Sequence, residues 1–205
     1  MADSSSAPPK PLPITDGRHL RSERSRVGIV DSMLSLLREG NTNPSSTEIA
    51  ERAGVTQRTV FNHYADMDTL MLAVATRNAE HILPLVPDVP ASGDLGHRVE
   101  SFCAATCRVL EDSQHIRWAV LTHPSGERFG GLAVQFMRDL MRERLQSTFA
   151  PELHGYPDDR RREIVDMLEV EIDPLVWRLR RRQNDLSFDA AGGCLRRAFT
   201  LLLLQ

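Results

Sequence analysis

The chain reads as a succession of amphipathic helices separated by proline- and glycine-rich breaks. From about Ser22 to Arg38, Val27, Val30, Met33/Leu34 and Leu37 recur at helical spacing, with Ile29 and Leu36 widening the stripe. Gly40 ends this helix, and Asn41-Thr42-Asn43-Pro44 is turn-rich. Two short helices follow between Ser45 and Tyr64. Ser45 with Glu48 three residues on makes a capping box. Ile49, Ala50 and Ala53 share one face, and Gly54 stops the first helix, because glycine enters the left-handed region without a Cβ penalty. Val55 is the apolar residue of the turn, Thr56 caps the second helix, and Val60 and Tyr64 form its inward face. Asp66 caps a helix from Met67 to about Leu83, with Leu70, Met71, Val74, Asn78, His81 and Ile82 along one stripe. Pro84, Pro87, Pro90 and Ala91-Ser92-Gly93 break the pattern.

Asp94 then caps a helix to about Asp112, and a separate helix runs from Gln114 to Leu121. A longer one spans Arg128 to Phe149, carrying Phe129, Leu132, Phe136, Met137, Leu140, Met141 and Leu145 on a broad face, and Pro151 to Pro157 is a loop. Asp158 to about Asn184 is a long helix that Pro174 must kink or split, since it lacks the N–H of a helix interior. Ser187 caps the last helix, Phe188 to about Leu204, whose face is Ala191, Cys194/Leu195, Ala198 and Leu201/Leu202. No stretch alternates strictly, so the expected fold class is all-α.

The pair between Ser45 and Tyr64 has the pattern of a helix-turn-helix. The outer face of its second helix carries Gln57, Arg58, Thr59, Asn62 and His63. Gln and Asn can bond an adenine edge, Arg a guanine edge, and Thr a base or a thymine methyl. The same pattern also fits an ordinary αα corner with a solvated polar face.

The ordered series Ile49-Ala50-x-x-Ala53-Gly54-Val55-Thr56-x-x-Thr59-Val60-Phe61-x-His63-Tyr64, followed by Asp68-x-Leu70, resembles the signature of TetR-family transcriptional regulators. The resemblance covers roughly the first third of the chain. It implies an N-terminal three-helix helix-turn-helix DNA-binding domain over 21–66, a linker helix over 67–83, and a C-terminal helical ligand-binding and dimerisation bundle over 84–205. It further implies a double-stranded DNA operator, a small-molecule effector, and a homodimer through the last two helices. The DNA-contacting set expected is Arg24, Ser46, Thr47, Thr56, Gln57, Arg58, Thr59, Phe61, Asn62 and His63. Two residues depart from the family pattern: Phe61 stands where a tyrosine usually reaches a phosphate, and Met67 where a lysine usually does.

Charge sharpens this picture. The chain of 205 residues carries a net charge of −3, so it has no general basic coat. Residues 1–64 hold 8 Lys/Arg against 7 Asp/Glu, and residues 65–205 hold 17 against 21. Any grip on DNA must therefore come from a local patch. Residues 1–20 read as a disordered arm rich in Pro and Ser, and Arg18, Arg21, Arg24 and Arg26 near its end offer phosphate or minor-groove contacts. Three cysteines in helical stretches, with no leader pattern and no apolar run of membrane-spanning length, suit free thiols in a cytoplasmic protein without membrane contact.

Catalytic chemistry finds no foothold in these residues: no Gly-rich phosphate loop, nucleophile elbow or zinc spacing is present, and neither cofactor nor metal is expected. Cys103 and Cys107, four apart on one helix, could form a thiol or metal sensor, or simply fill a core. The run Glu169, Glu171, Asp173 then Arg178, Arg180, Arg181, Arg182 reads as a solvated, dipole-matched helix. Phe102, Trp118, Phe136, Met137, Met141 and Trp177 are the candidate lining of an effector pocket. The leading functional expectation is a dimeric repressor released from a palindromic operator by a small molecule. The alternative is an all-helical small-molecule-binding protein or enzyme with a vestigial helix-turn-helix.

Overall fold

The computed structural model describes residues 16–123 and 126–204, without the side chains of residues 16, 18, 126–130 and 132. The described residues form α-helices and no strand: α1 (Asp16–Arg38), α2 (Ser46–Ala53), α3 (Gln57–His63), α4 (Met67–Ile82), α5 (Leu95–Thr122), α6 (Gly126–Thr148), α7 (Ala150–Leu153), α8 (Asp158–Glu171), α9 (Pro174–Arg178) and α10 (Phe188–Leu203). A 3₁₀ turn at Leu83–Leu85 and a π-helical turn at Leu179–Gln183 complete the order. None of these helices is long and apolar enough to cross a membrane.

Two apolar cores hold the helices together. The first joins α1 to α4: Ile29, Met33, Leu37, Ile49, Val60, Leu70 and Val74 are each at most 1% exposed. Ile116, Ala119 and Val120 of α5 are packed into the same core. The second core lies between α5, α6, α8, α9 and α10, and its centre is a triangle of Phe102, Phe149 and Phe199 with ring centroids 5.4–5.7 Å apart. Helix α5 therefore belongs to both cores, its first half to one and its last turns to the other.

Several sequence expectations change for local reasons. Helix α1 begins at Asp16, so residues 16–20 of the expected arm are helical, while residues 1–15 lie outside the described residues. The side chains of Arg18, Phe129 and Leu132 lie outside them as well. Val27, expected on the inner stripe of α1, is 46% exposed, and Ile29 takes the core. The helices expected on either side of Ser113 are one, α5. Its polar run does not break it because other helices absorb the side chains: Glu111 accepts from Trp177 and Arg181, Asp112 pairs with His81, and Gln114 is buried. The Ser113 hydroxyl turns back to the Val109 carbonyl at 2.6 Å, a bond compatible with an unbroken helix. Pro151 sits in the first turn of α7, where a missing N–H costs nothing, so the expected loop begins with a helical turn. Pro174 splits the long helix rather than kinking it. The chain breaks at Ile172 and Asp173, and Asp173 caps α9 by accepting the Leu175 N–H at 2.7 Å.

The acidic and basic run over residues 169–182 is not a solvated face. Glu169 accepts from Arg138 and Arg142, Glu171 from Arg180, and Glu111 from Arg181, while the Arg178 guanidinium lies 4.7 Å over the Trp118 ring. These pairs fasten α8, α9 and the π-helical turn to α5 and α6.

Candidate nucleic-acid interface and adjoining cavity

The α2–turn–α3 unit is set by short-range bonds. Glu48 N–H donates to the Ser45 hydroxyl at 3.3 Å, and the Ser45 N–H donates to the Glu48 carboxylate at 2.8 Å, closing the capping box. The Ser45 hydroxyl, the Ser45 N–H and Asn41 together hold the Glu48 carboxyl below its ordinary range. Gly54 ends α2 with φ +65°, and Val55 N–H returns to the Ala50 carbonyl at 3.0 Å, so the turn is tight and its geometry fixed. The Thr56 hydroxyl then caps α3 by accepting the Thr59 N–H at 3.2 Å. Val60 and Tyr64 anchor α3 inward, at 1% and 3% exposure, and the Tyr64 hydroxyl donates to the Arg26 carbonyl of α1. Arg52 forks onto Glu39 at 2.6 and 2.8 Å, tying α2 to the end of α1 and holding the Glu39 carboxyl down at about 2.

With α3 fixed in this way, its outer face divides into committed and free groups. Gln57 donates to the Ser46 hydroxyl at 2.6 Å, and the Thr56 and Thr59 hydroxyls bond each other at 2.8 Å. Arg58 and Asn62 are exposed and have no side-chain partner among the described residues. His63 is half-buried, Phe61 is 44% exposed, and Arg24 and Thr47 are exposed on α1 and α2. Met67 is half-buried, packs against the first core, and borders a small pocket with Met33, Pro44, Met71 and His123. The Gln57–Ser46 bond was not foreseeable from spacing, because it spans the turn.

A cavity of about 760 Å³ opens beside this unit, walled by α4, α5, α6, α8 and α9. Its space arises where facing positions are small, with Ala75 and Ala79 on α4 and Ala133 on α6. Ile116 and Val120 line it and also pack into the α1–α4 core. Of the six aromatic and sulfur residues expected to line a pocket, Met137 and Met141 do so. The other four lie elsewhere. Phe102 and Trp177 are fully buried in the second core, Trp118 is covered by Arg178, and Phe136 is 56% exposed. Large rings close the core instead of bordering a gap. Two polar residues of the lining, Asn78 and Arg117, escaped the sequence reading as site residues. Asn78 did leave a signal, a side-chain amide at an apolar register of α4.

The thiol sensor reading meets an electrostatic obstacle. Cys103 and Cys107 are buried, and burial pushes both thiols up, Cys107 to about 11 and Cys103 further. Their reactive thiolate is thereby suppressed at neutral pH. Among the described residues no group of three or more metal-ligating side chains converges.

No protein-family model and no curated protein matches the chain. Solved structures do. A transcriptional regulator from Rhodococcus sp. Rha1 superimposes with a TM-score of 0.61 at 17% identity, over 89% of this chain and 96% of its own. A TetR-family transcriptional regulator from Streptomyces coelicolor gives 0.67 at 18%, over 88% and 80%. MexZ, a repressor responsible for antibiotic resistance in Pseudomonas aeruginosa, gives 0.57 at 18%, over 88% and 95%. The helix-turn-helix at the N-terminus and the helical body behind it together make the fold of the TetR-type transcriptional regulators.

Proposed function

We propose that the chain is a dimeric transcriptional regulator, a repressor that reads a palindromic operator in double-stranded DNA with α3 and is released by a small molecule in the adjoining cavity. The observation that carries this reading is the position of α5. Ile116 and Val120 form the wall of the cavity on one side and part of the α1–α4 core on the other. A molecule that fits the cavity better in one tilt of α4 and α5 shifts the population toward that tilt. The operator affinity then falls by that differential.

Arg58 and Asn62 are the base-reading groups in this proposal, with Thr47, the backbone N–H groups opening α2, and Arg24 on phosphates. A dimer follows from the same physics. One short helix reads few base pairs, and two of them about 34–36 Å apart read both halves of a palindrome. The exposed stripe of α10 supports an interface there with α8: Leu201 and Leu204 are 64% and 68% exposed, and Val170 of α8 is 59% exposed. A binding protein fits better than an enzyme, because the carboxylates lining the cavity are already engaged: Glu169 and Asp166 by arginines, Asp173 by the cap of α9.

Fluorescence anisotropy with the DNA upstream of the gene tests the reading. Saturable binding of the dimer to one fragment, over an excess of unrelated DNA, is the expected result. Equal affinity for all sequences at every salt concentration rejects it, and ligand binding without any DNA binding leaves the vestigial helix-turn-helix as the answer.

A further inference from the structure

One of the two arginines lining the cavity has no counter-charge among the described residues. Three carboxylates and two arginines line it. Glu169 is shared by Arg138 and Arg142, Asp166 pairs with Arg142 at 2.7 Å, and Asp173 is spent on the Leu175 N–H. Arg138 is consumed by Glu169. Arg117 of α5 is half-buried, lines the cavity, and has no ion-pair or hydrogen-bond partner among the described residues. A half-buried guanidinium facing an apolar space is an electrostatic invitation to an anion, since the surrounding low dielectric strengthens any pairing it finds.

A second polar group stands within reach. Asn78 of α4 is 5% exposed, lines the same cavity, and its Oδ1 has no hydrogen-bond partner. A buried amide left unpaired costs stability, so it is a group for which a bound partner has something to offer. Two contacts fix how it sits against Arg117: His81 meets Asp112 at 3.0 Å and His123 meets Asp68 at 3.7 Å. Helices α4 and α5 therefore run antiparallel, which places Asn78 opposite Ser113 and Gln114. That is about one helical turn, roughly 5 Å, from the level of Arg117. Rotation of the amide presents its N–H₂ or its oxygen to the cavity. Apart from Ser113 and Gln135, which are hydrogen-bonded to Val109 and Asp139, the remaining lining is apolar and includes Ile82, Val120, Val134, Met137 and Met141.

We propose that the cavity takes a mostly apolar molecule bearing a single carboxylate-like anion, with the anion on Arg117, the Asn78 amide as its second contact, and the apolar body among the aliphatic side chains of α4, α5 and α6. This rests on the cavity being the effector site. It specifies the effector's chemical class and favours an anion over a cation, because Glu169 and Asp166 are already paired with arginines and Asp173 is engaged in capping α9.

The test is direct binding to the full-length protein in the absence of DNA, by isothermal titration calorimetry. The probes are dodecanoate, the neutral dodecanol and the cationic dodecyltrimethylammonium, each below its micelle concentration. Dodecanoate is expected to bind about tenfold more tightly than either of the others. Arg117→Leu should remove that preference and leave dodecanol binding within about twofold, while Arg117→Lys should keep most of it. Asn78→Leu should weaken dodecanoate by a smaller factor. Circular dichroism and the thermal midpoint of each variant report whether it is folded. Preference for the cation, equal binding of all three probes, a preference that survives Arg117→Leu in a folded protein, or no binding at all overturns the proposal. Because no DNA is present, failure of the anion preference is separate from failure of operator binding, which the anisotropy experiment reads.

Discussion

Arg58 and Asn62 owe their freedom to their neighbours. Gln57 is drawn off to Ser46 and Thr59 to Thr56, so Arg58 and Asn62 stay exposed on α3 without a side-chain partner among the described residues. If Arg58 reads a guanine, Arg58→Ala should cost about 1–3 kcal/mol at one base position and relax specificity there. A competition series over operators mutated at each position measures this, and a uniform loss on every sequence would make Arg58 a phosphate contact instead. The family resemblance leaves Phe61 and Met67 without the usual phosphate-contacting groups. Met67 has become a packing residue of the first core, and Phe61 presents a ring to solvent at the same outer face. The resemblance located both departures, but only the packing of Met67 against the first core shows what one of them gained in exchange.

At the scale of elements, α2 and α3 are defined by caps that the sequence spells out, and each cap makes a prediction. Gly54 has φ +65° and open space where a Cβ would stand. Gly54→Ala should thus lose only backbone energy, about 1–2 kcal/mol. The check is urea unfolding, and an unchanged midpoint would mean that the turn relaxes into another conformation. The Glu39–Arg52 fork between α1 and α2 depresses the Glu39 carboxyl from 4.5 to about 2. A lowered folded-state value means that its contribution is present above about 4.5 and is lost as pH falls toward about 2. Stability measured across that window should therefore fall less steeply for Glu39→Gln than for the parent. Identical slopes would show that the fork is screened away in solution. Helix α5 illustrates the opposite case. Its polar run from Glu111 to Gln114 looks like a break in one dimension, yet it is continuous because Trp177, Arg181 and His81 arrive from elsewhere in the chain.

At the scale of the whole molecule, the face expected on α10 divides: Ala191 and Leu195 are buried in the second core, while Cys194, Leu201 and Leu204 are exposed in one chain. The dimer proposed above, through α8 and α10, would cover this stripe. Leu201→Glu should give a monomer by analytical ultracentrifugation and lose cooperative binding to a palindrome, with a folded circular dichroism spectrum. Cys194 supplies an independent readout. It should be shielded from a thiol reagent in the parent and become reactive in Leu201→Glu, while Cys103 and Cys107 stay buried in both. A parent protein that is monomeric at micromolar concentration, with Cys194 freely reactive, would remove the dimer.

What the sequence determined by itself is what acts over a few residues. The capping box, the left-handed glycine, the caps at Thr56, Asp66, Asp94 and Ser187, the absence of strand alternation, and the split at Pro174 all follow from bonds between near neighbours. The N-terminal helices and their resemblance were legible for that reason. What only the tertiary structure decided is where space and unpaired charge remain after packing. Phe102 and Trp177 look like pocket residues until the second core consumes them, and Ala75, Ala79 and Ala133 look featureless until they line one cavity. Arg117 is one arginine among many in the sequence. It becomes distinctive only because Arg138, Asp166 and Glu169 in the same lining find charge partners across helices and it does not. Pairing at long range depends on the whole set of contacts at once, and no local pattern encodes it.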